Sequence, residues 1–343
     1  MSSRLFKHQM ASTARPPVQP HLLNSMADIY GFNNKTDTFT KQGRIPAVEP
    51  SSTMSYNGIH VSPDGRYVVT TTSTTGVVDA NAVYKRTAGG YVRLSLPNSS
   101  GEFNSVCWSK DSKNLLIGNG STLRWYRLNA DGQFVQVTTL GFAYRVMSIA
   151  LSESGKFLAV SQQLTVFLYM YPIDLVTGKF GASMSVGTQP GNYAAKIKFV
   201  GSDLLYFGTS SSGGNFIYSI NETTGAVTRS VPTGASSTYA YSMAVSADNK
   251  YVAVGRLQGL DYYAYDSATR SYRKIYENLF GARTLDVAFS KDGNYLALAL
   301  NAAPHVLVYR RVGDTLVQLT IPAATVPPTG GMNGVGFAEP DGY

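Results

Sequence analysis

Few side chains in this sequence are reactive, and those few stand far apart. The chain holds four histidines, His8, His21, His60 and His305, and a single cysteine, Cys107. No two histidines have the close spacing that sets two ring nitrogens on one metal ion. No CxxC, HExxH, GxSxG or phosphate-loop pattern occurs. One cysteine permits no intrachain disulfide, so an oxidising compartment is not implied. Within Val106-Cys107-Trp108, Cys107 reads as a small buried hydrophobe, with no histidine near it in sequence to make it a nucleophile. The expectation is therefore no catalytic residue, no metal ligand and no cofactor. The remaining polar candidates are His60, Arg145, Lys196, Arg283 and Asp286, which only the fold can bring together.

The elements that would position them are written in a repeat. Ser290-Lys291-Asp292-Gly293-Asn294-Tyr295-Leu296-Ala297 lies between two apolar segments. The same pattern recurs at Ser62-Pro63-Asp64-Gly65, Ser109-Lys110-Asp111-Ser112, Ser152-Glu153-Ser154-Gly155 and Ser246-Ala247-Asp248-Asn249. Val200-Gly201-Ser202-Asp203 is a degenerate copy, and Ala338-Glu339-Pro340-Asp341-Gly342 is a terminal one. The copies lie roughly 40–50 residues apart, the period of a unit of four short strands. In each, Ser and Asp side chains bond nearby backbone amides and Gly or Asn takes the positive-φ position of a hairpin turn. These aspartates are turn residues and need no catalytic role. Further strands follow, such as Ala82 to Arg86 and Tyr91 to Leu96, or Phe216 to Ile220 and Val227 to Val231.

This period predicts an all-β fold: a single β-propeller of about seven blades, with six as the alternative. The first strand of each blade then faces the axis. One position reads Gly58, Ser105, Ser148, Lys196, Ser242, Asp286 and Gly334; its neighbour reads Ile59, Val106, Ile149, Ile197, Met243, Val287 and Val335. Alternation along a strand sends the two sets to opposite faces. The apolar set packs between blades, and the small or polar set lines a narrow channel. His60, Lys196 and Asp286 are the channel-lining candidates, with Lys196 and Asp286 expected to face each other as a structural pair. Tyr262, Tyr263, Tyr265 and Tyr272 read as exposed outer-strand partners.

An open ring leaves unpaired sheet edges, so residues 28–46 and 331–343 are expected to share a closing blade. No second strand for it follows Tyr343. The blade is then three-stranded, or completed by a neighbouring chain. Residues 28–343 form the propeller, and residues 1–27 an extended N-terminal arm. Arg4, Phe6, Lys7, Arg15, Pro16 and Pro17 are the arm's candidate docking residues.

Charged residues make up 15% of the chain, with 33 Gly and 23 Tyr, and the net charge is +8. The basic residues are dispersed, so a nucleic-acid groove is not indicated. No secretory leader and no membrane-spanning stretch is evident, and a cytoplasmic origin is expected.

Through the Ser-x-Asp-Gly/Asn turns, residues 28–343 resemble the WD40-like and YncE-like propellers. The Trp-Asp and Gly-His dipeptides of the WD40 pattern are absent. More loosely, the low charge, the Ser/Thr/Gly/Tyr richness and the basic, proline-bearing arm resemble tailed-bacteriophage virion proteins. That resemblance implies a non-enzymatic virion component, in the tail nozzle or hub, a fibre or the capsid surface, docked to other subunits through residues 1–27. A homo-oligomer stays open. The alternatives are a cellular protein-interaction scaffold and a propeller lactonase or hydrolase, the last with His60 and Arg145 at one channel mouth.

Overall fold

The computed structural model describes residues 19–24, 28–45, 56–72, 81–98, 101, 103–163, 167–188, 195–208, 214–234, 239–324 and 334–339. The docking residues expected in the arm, from Arg4 to Pro17, lie outside them. The chain forms seven antiparallel sheets arranged as the blades of a ring. The inner strands, one per blade, are Tyr56–Val61, Phe103–Trp108, Val146–Leu151, Ala195–Val200, Ala240–Val245, Thr284–Phe289 and Val335–Ala338. Each packs beside the next in cyclic order, and the last meets the first. In the third blade the outer edge is divided: Lys179–Phe180 and Met184–Thr188 both pair with Phe167–Asp174. Among the described residues no helix is long and apolar enough to cross a membrane.

The turns carry the chemistry that their sequence dictates. Ser62 Oγ donates to Asp64 Oδ1 at 2.6 Å, and the amides of Arg66 and Tyr67 donate to Asp64 Oδ1 and Ser62 Oγ. Ser109 with Asp111, Ser246 with Asp248 and Ser290 with Asp292 repeat the arrangement. The fourth turn residue has positive φ at Gly65, Gly155, Asn249 and Gly293, and also at Ser112. Only there does the turn need a residue tolerant of the left-handed region. The turns also touch one another around the ring: the amide of Asp64 donates to Ser112 Oγ, and that of Lys291 to Glu339 Oε1.

The ring is closed by one blade built from both chain ends, ordered Val335–Ala338, His21–Asn24, Asp28–Asn33, Thr38–Arg44. Its second strand is His21–Asn24, inside the segment that the sequence reading set apart as an arm. The blade is four-stranded and needs no neighbouring chain. Four residues are too few to show a period of two, which is why this strand was not legible. Leu22 pairs with Phe337 on one side and Tyr30 on the other, and both Leu22 and Leu23 are fully buried. Buried Arg86, from the first blade, holds the seam. Its guanidinium donates to the Ala338 carbonyl at 2.8 Å, to the Gln19 carbonyl, and meets His21 Nε2 at 3.1 Å.

The core is a series of apolar layers between blades. Ile59, Val106, Ile149, Ile197, Met243, Val287 and Val335 are all buried, as the alternation required. Tyr262, Tyr263, Tyr265 and Tyr272 are buried too, contrary to the expectation of exposure. Neighbouring blades pack over both faces of these strands, so a tyrosine there is core; two of the four hydroxyls reach a carboxylate, and those of Tyr262 and Tyr272 have no hydrogen-bond partner among the described residues. Tyr263 donates to Asp261 at 2.9 Å and Tyr265 to Asp203 at 2.8 Å.

Candidate functional site at the channel mouth

Register sets two successive side chains of each inner strand on one face. The first tier is Gly58, Ser105, Ser148, Lys196, Ser242, Asp286 and Gly334. The second, two residues on, is His60, Cys107, Ala150, Lys198, Ala244, Ala288 and Gly336. The first tier also sews blades together. Ser148 Oγ accepts the amide of Ile197 in the next blade at 3.3 Å, and Ser242 Oγ accepts that of Val287 at 3.2 Å. Asp286 does the same with its carboxylate: Oδ2 accepts the amide of Val335 at 3.2 Å, and Oδ1 accepts Ser242 Oγ at 2.7 Å and the Val287 amide at 3.0 Å. Burial nonetheless holds its carboxyl up, at about 6, with these hydrogen bonds and Lys196 pulling the other way. Lys196 and Asp286 therefore act on each other electrostatically across Ser242, and among the described residues no direct ion pair joins them.

His60 is half-buried, and its ring folds back so that Nε2 would lie 2.9 Å from a Cβ placed on Gly58. Burial, then Lys198 and Lys196, push its pKa down to about 3. The imidazole is thus neutral at ordinary pH and surrounded by positive charge. Lys196 is itself lowered, first by burial and further by Lys198, with Asp286 opposing. Burial raises the Cys107 thiol, so it stays protonated.

Two guanidiniums stand where the inner strands begin. Arg145 precedes the third blade's inner strand and Arg283 precedes the sixth's. The backbones of both are fixed alike: the Gln163 amide donates to the Arg145 carbonyl at 2.8 Å, and the Asn301 amide to the Arg283 carbonyl at 3.0 Å. A β-bulge interrupts five of the inner strands just above the first tier. Bulges re-aim side chains, and each arginine reaches the bulged residue of the preceding blade. Arg145 Nη2 donates to Asn104 Oδ1 at 2.5 Å, while Arg283 lies 4.9 Å from the centre of the Tyr241 ring. Asn104 Nδ2, Ser105 Oγ, Arg283 Nε and Thr284 Oγ1 at this mouth are buried and have no hydrogen-bond partner among the described residues. Asn104, Tyr241 and Lys198 were not singled out from sequence. Lys198 was recoverable, because it lies two residues after Lys196 on the same face, but the bulges had no signature.

An open groove elsewhere, lined by Asp248, Lys250, Tyr251, Asp266, Arg273 and Asp314, lies on the side of the turns. Its charges answer each other, with Tyr251 and Arg273 both donating to Asp314, at 2.9 and 2.6 Å. Among the described residues no group of three or more His, Cys, Asp or Glu converges as a metal set.

The ring of seven four-stranded blades defines the chain as a seven-bladed β-propeller. No protein-family model matches it, and no curated protein does. Solved structures match over nearly the whole length. The periplasmic gluconolactonase of Pseudomonas aeruginosa superposes with a TM-score of 0.71 at 16% identity, covering 93% of this chain and 99% of that one. A proposed 6-phosphogluconolactonase of Bacteroides fragilis gives 0.70 at 13% identity, covering 95% and 99%. The Cps50 (Swd1) propeller domain of Myceliophteria thermophila gives 0.57 at 15% identity, covering 77% and 85%. These likenesses support the WD40-like reading at the level of fold. They overturn the expectation of a non-enzymatic bacteriophage virion component, since the whole-length neighbours include lactonases. Low charge and Ser/Thr/Gly/Tyr richness come with many exposed turns and outer strands, and so do not separate a virion protein from an enzyme on this fold.

Proposed function

We propose that this propeller is a hydrolase of the lactone class, working at the channel mouth where the inner strands begin. The observation that carries the reading is the set of buried polar groups without partners at that mouth, beside Arg145 and Arg283, with Lys196 and Lys198 acting on the neutral imidazole of His60 further along the strands. Buried polar atoms of a native protein are almost always paired, so an unpaired set calls for a ligand or ordered water. The named lactonases among the structural neighbours support the same reading.

Opening a lactone suits this site chemically. Water attacks the carbonyl carbon, the carbonyl π electrons move to oxygen, and the tetrahedral oxyanion collapses with cleavage of the ring C–O bond. The ring oxygen takes a proton, and the product is a hydroxy acid with an ionised carboxyl. Fixed cations in a narrow channel stabilise the oxyanion far better than water does, because they are oriented before the charge develops. Neutral His60 accepts a hydrogen bond from the attacking water and orients it, the proton that the water loses passes to solvent, and Lys196 and Lys198 hold the carboxylate product. Asp286 belongs to the frame: its oxygens are occupied by Ser242, Val287 and Val335.

The test is hydrolysis of δ-valerolactone and of glucono-δ-lactone, followed by acid release in weakly buffered solution, for the wild type and for Arg145→Ala and Arg283→Ala. Catalysed release that falls about 10-fold or more in either variant is expected, since each removes a charged donor. Release no faster than the uncatalysed reaction from every lactone offered, the unsubstituted ring included, sinks the reading.

A further inference from the structure

Blade five differs from blades three and six along the edge that meets this mouth. In blades three and six the residue before the inner strand is an arginine, Arg145 or Arg283, and the residue after the second strand is an amide, Gln163 or Asn301. The register pairs Val146 with Gln162, Thr284 with Leu300 and Ala240 with Arg256. The equivalent pair in blade five is therefore Tyr239 and Leu257, which are 39% and 38% exposed. Next to it, Leu279 at the end of the outer strand is 62% exposed. Leu260 pairs with Asn278, so Tyr239, Leu257 and Leu279 follow the blade's edge outward from the ring axis to the rim. Three large apolar side chains left to water in one line cost free energy, whereas blades three and six have polar pairs, Arg145 with Gln163 and Arg283 with Asn301, at the first two of these positions.

The line begins at the site proposed above. Tyr239 is two residues from Tyr241, whose ring lies under Arg283. A ligand held by its carbonyl end among the cations therefore has an apolar strip beside it along blade five. Resting on the lactone-hydrolase reading, we propose that the substrate is an amphiphilic lactone, one whose ring carries an alkyl substituent that lies along Tyr239, Leu257 and Leu279. Polyhydroxylated sugar lactones are then poor substrates, because hydroxyl groups laid on this strip lose water without gaining partners.

The experiment is a chain-length series: kcat/KM for unsubstituted δ-valerolactone, for δ-lactones bearing propyl, pentyl and heptyl chains, and for glucono-δ-lactone. It is run on the wild type and on the double variant Leu257→Ser/Leu279→Ser, whose positions are exposed and so leave the fold intact. The wild type is expected to gain about twofold per methylene, as for partial burial of each group on an open surface. The double variant is expected to flatten that slope. A flat wild-type series with all lactones hydrolysed overturns the amphiphilic substrate and leaves the hydrolase reading standing. A flat series accompanied by wild-type self-association that the double variant abolishes does the same, and assigns the strip to a second copy of the chain. No hydrolysis of any member, the unsubstituted ring included, overturns both.

Discussion

The carboxylate of Asp286 accepts the backbone amide of Val335 from the adjoining blade at 3.2 Å, the place that Ser148 and Ser242 fill at two other blade junctions. A residue that looked like a candidate acid is thus a stitch between blades, next to the blade that both chain ends build. Asp286→Ala removes the acceptor from the buried Val335 amide and from the Ser242 hydroxyl, while the Val287 amide keeps Ser242 Oγ, and is expected to cost about 2–3 kcal/mol. Asp286→Ser restores most of it, because serine is the native stitch elsewhere. Urea unfolding of the two variants checks this; equal losses would show that the hydrogen bond contributes little.

The same residue gives a pH dependence of known sign. Its folded pKa, about 6, is above the value of an exposed carboxyl, so the folded state binds the proton more tightly. The associated stability is present below about pH 4 and is lost as the pH rises to about 6. His60 works oppositely. Its folded pKa of about 3 is below the unfolded value, so its contribution is present above about pH 6.5 and is lost on acidification. The difference in melting temperature, wild type minus Asp286→Asn, is expected to fall between pH 4 and 6. For wild type minus His60→Gln it is expected to rise over the same interval. Differences independent of pH would contradict both assignments.

Gly58 leaves the room into which the His60 ring folds. A Cβ there would lie 2.9 Å from Nε2 and 3.3 Å from Thr71 Oγ1. The ring end can swing, so Gly58→Ala is expected to fold nearly as well as the wild type while lowering kcat about 10-fold, because misplacing the group that orients the attacking water is costly. Steady-state kinetics beside a thermal melt separate the two effects.

At the seam, Arg86→Ala is expected to destabilise the ring by about 3 kcal/mol, since it strips the Ala338 and Gln19 carbonyls of a charged donor. Arg86→Lys recovers little, because an ammonium does not span both carbonyls and His21 as a planar guanidinium does. Leu22→Ala, at a fully buried site, is expected to cost about 3 kcal/mol. Denaturant midpoints report all three.

How far the sequence carried these conclusions differs by element. Five clear copies of one turn located most of the blades, because that turn satisfies its own hydrogen bonds locally and keeps its residues wherever it occurs. The Ile59-to-Val335 series fixed the inward faces, because a period of two survives in strands of six residues. His21–Asn24 escaped notice because a four-residue strand has no period and its partner, Val335–Ala338, is at the far end of the chain. Register alone set His60, Lys196 and Asp286 on one face of the inner strands, yet their roles were not legible. Whether a carboxylate is a stitch or an acid depends on which amides the next blade brings to it. The mouth formed by Arg145, Asn104, Arg283 and Tyr241 depends on bulges between consecutive blades, a long-range feature with no local signature.

The most direct test of the account is lactone hydrolysis by His60→Ala beside the wild type across pH. The wild type is predicted to hydrolyse lactones without an inflection between pH 6 and 7, since His60 is already neutral there, and His60→Ala to lose about 100-fold in kcat. Wild-type activity retained in full by His60→Ala would contradict the placing of the reaction at this mouth.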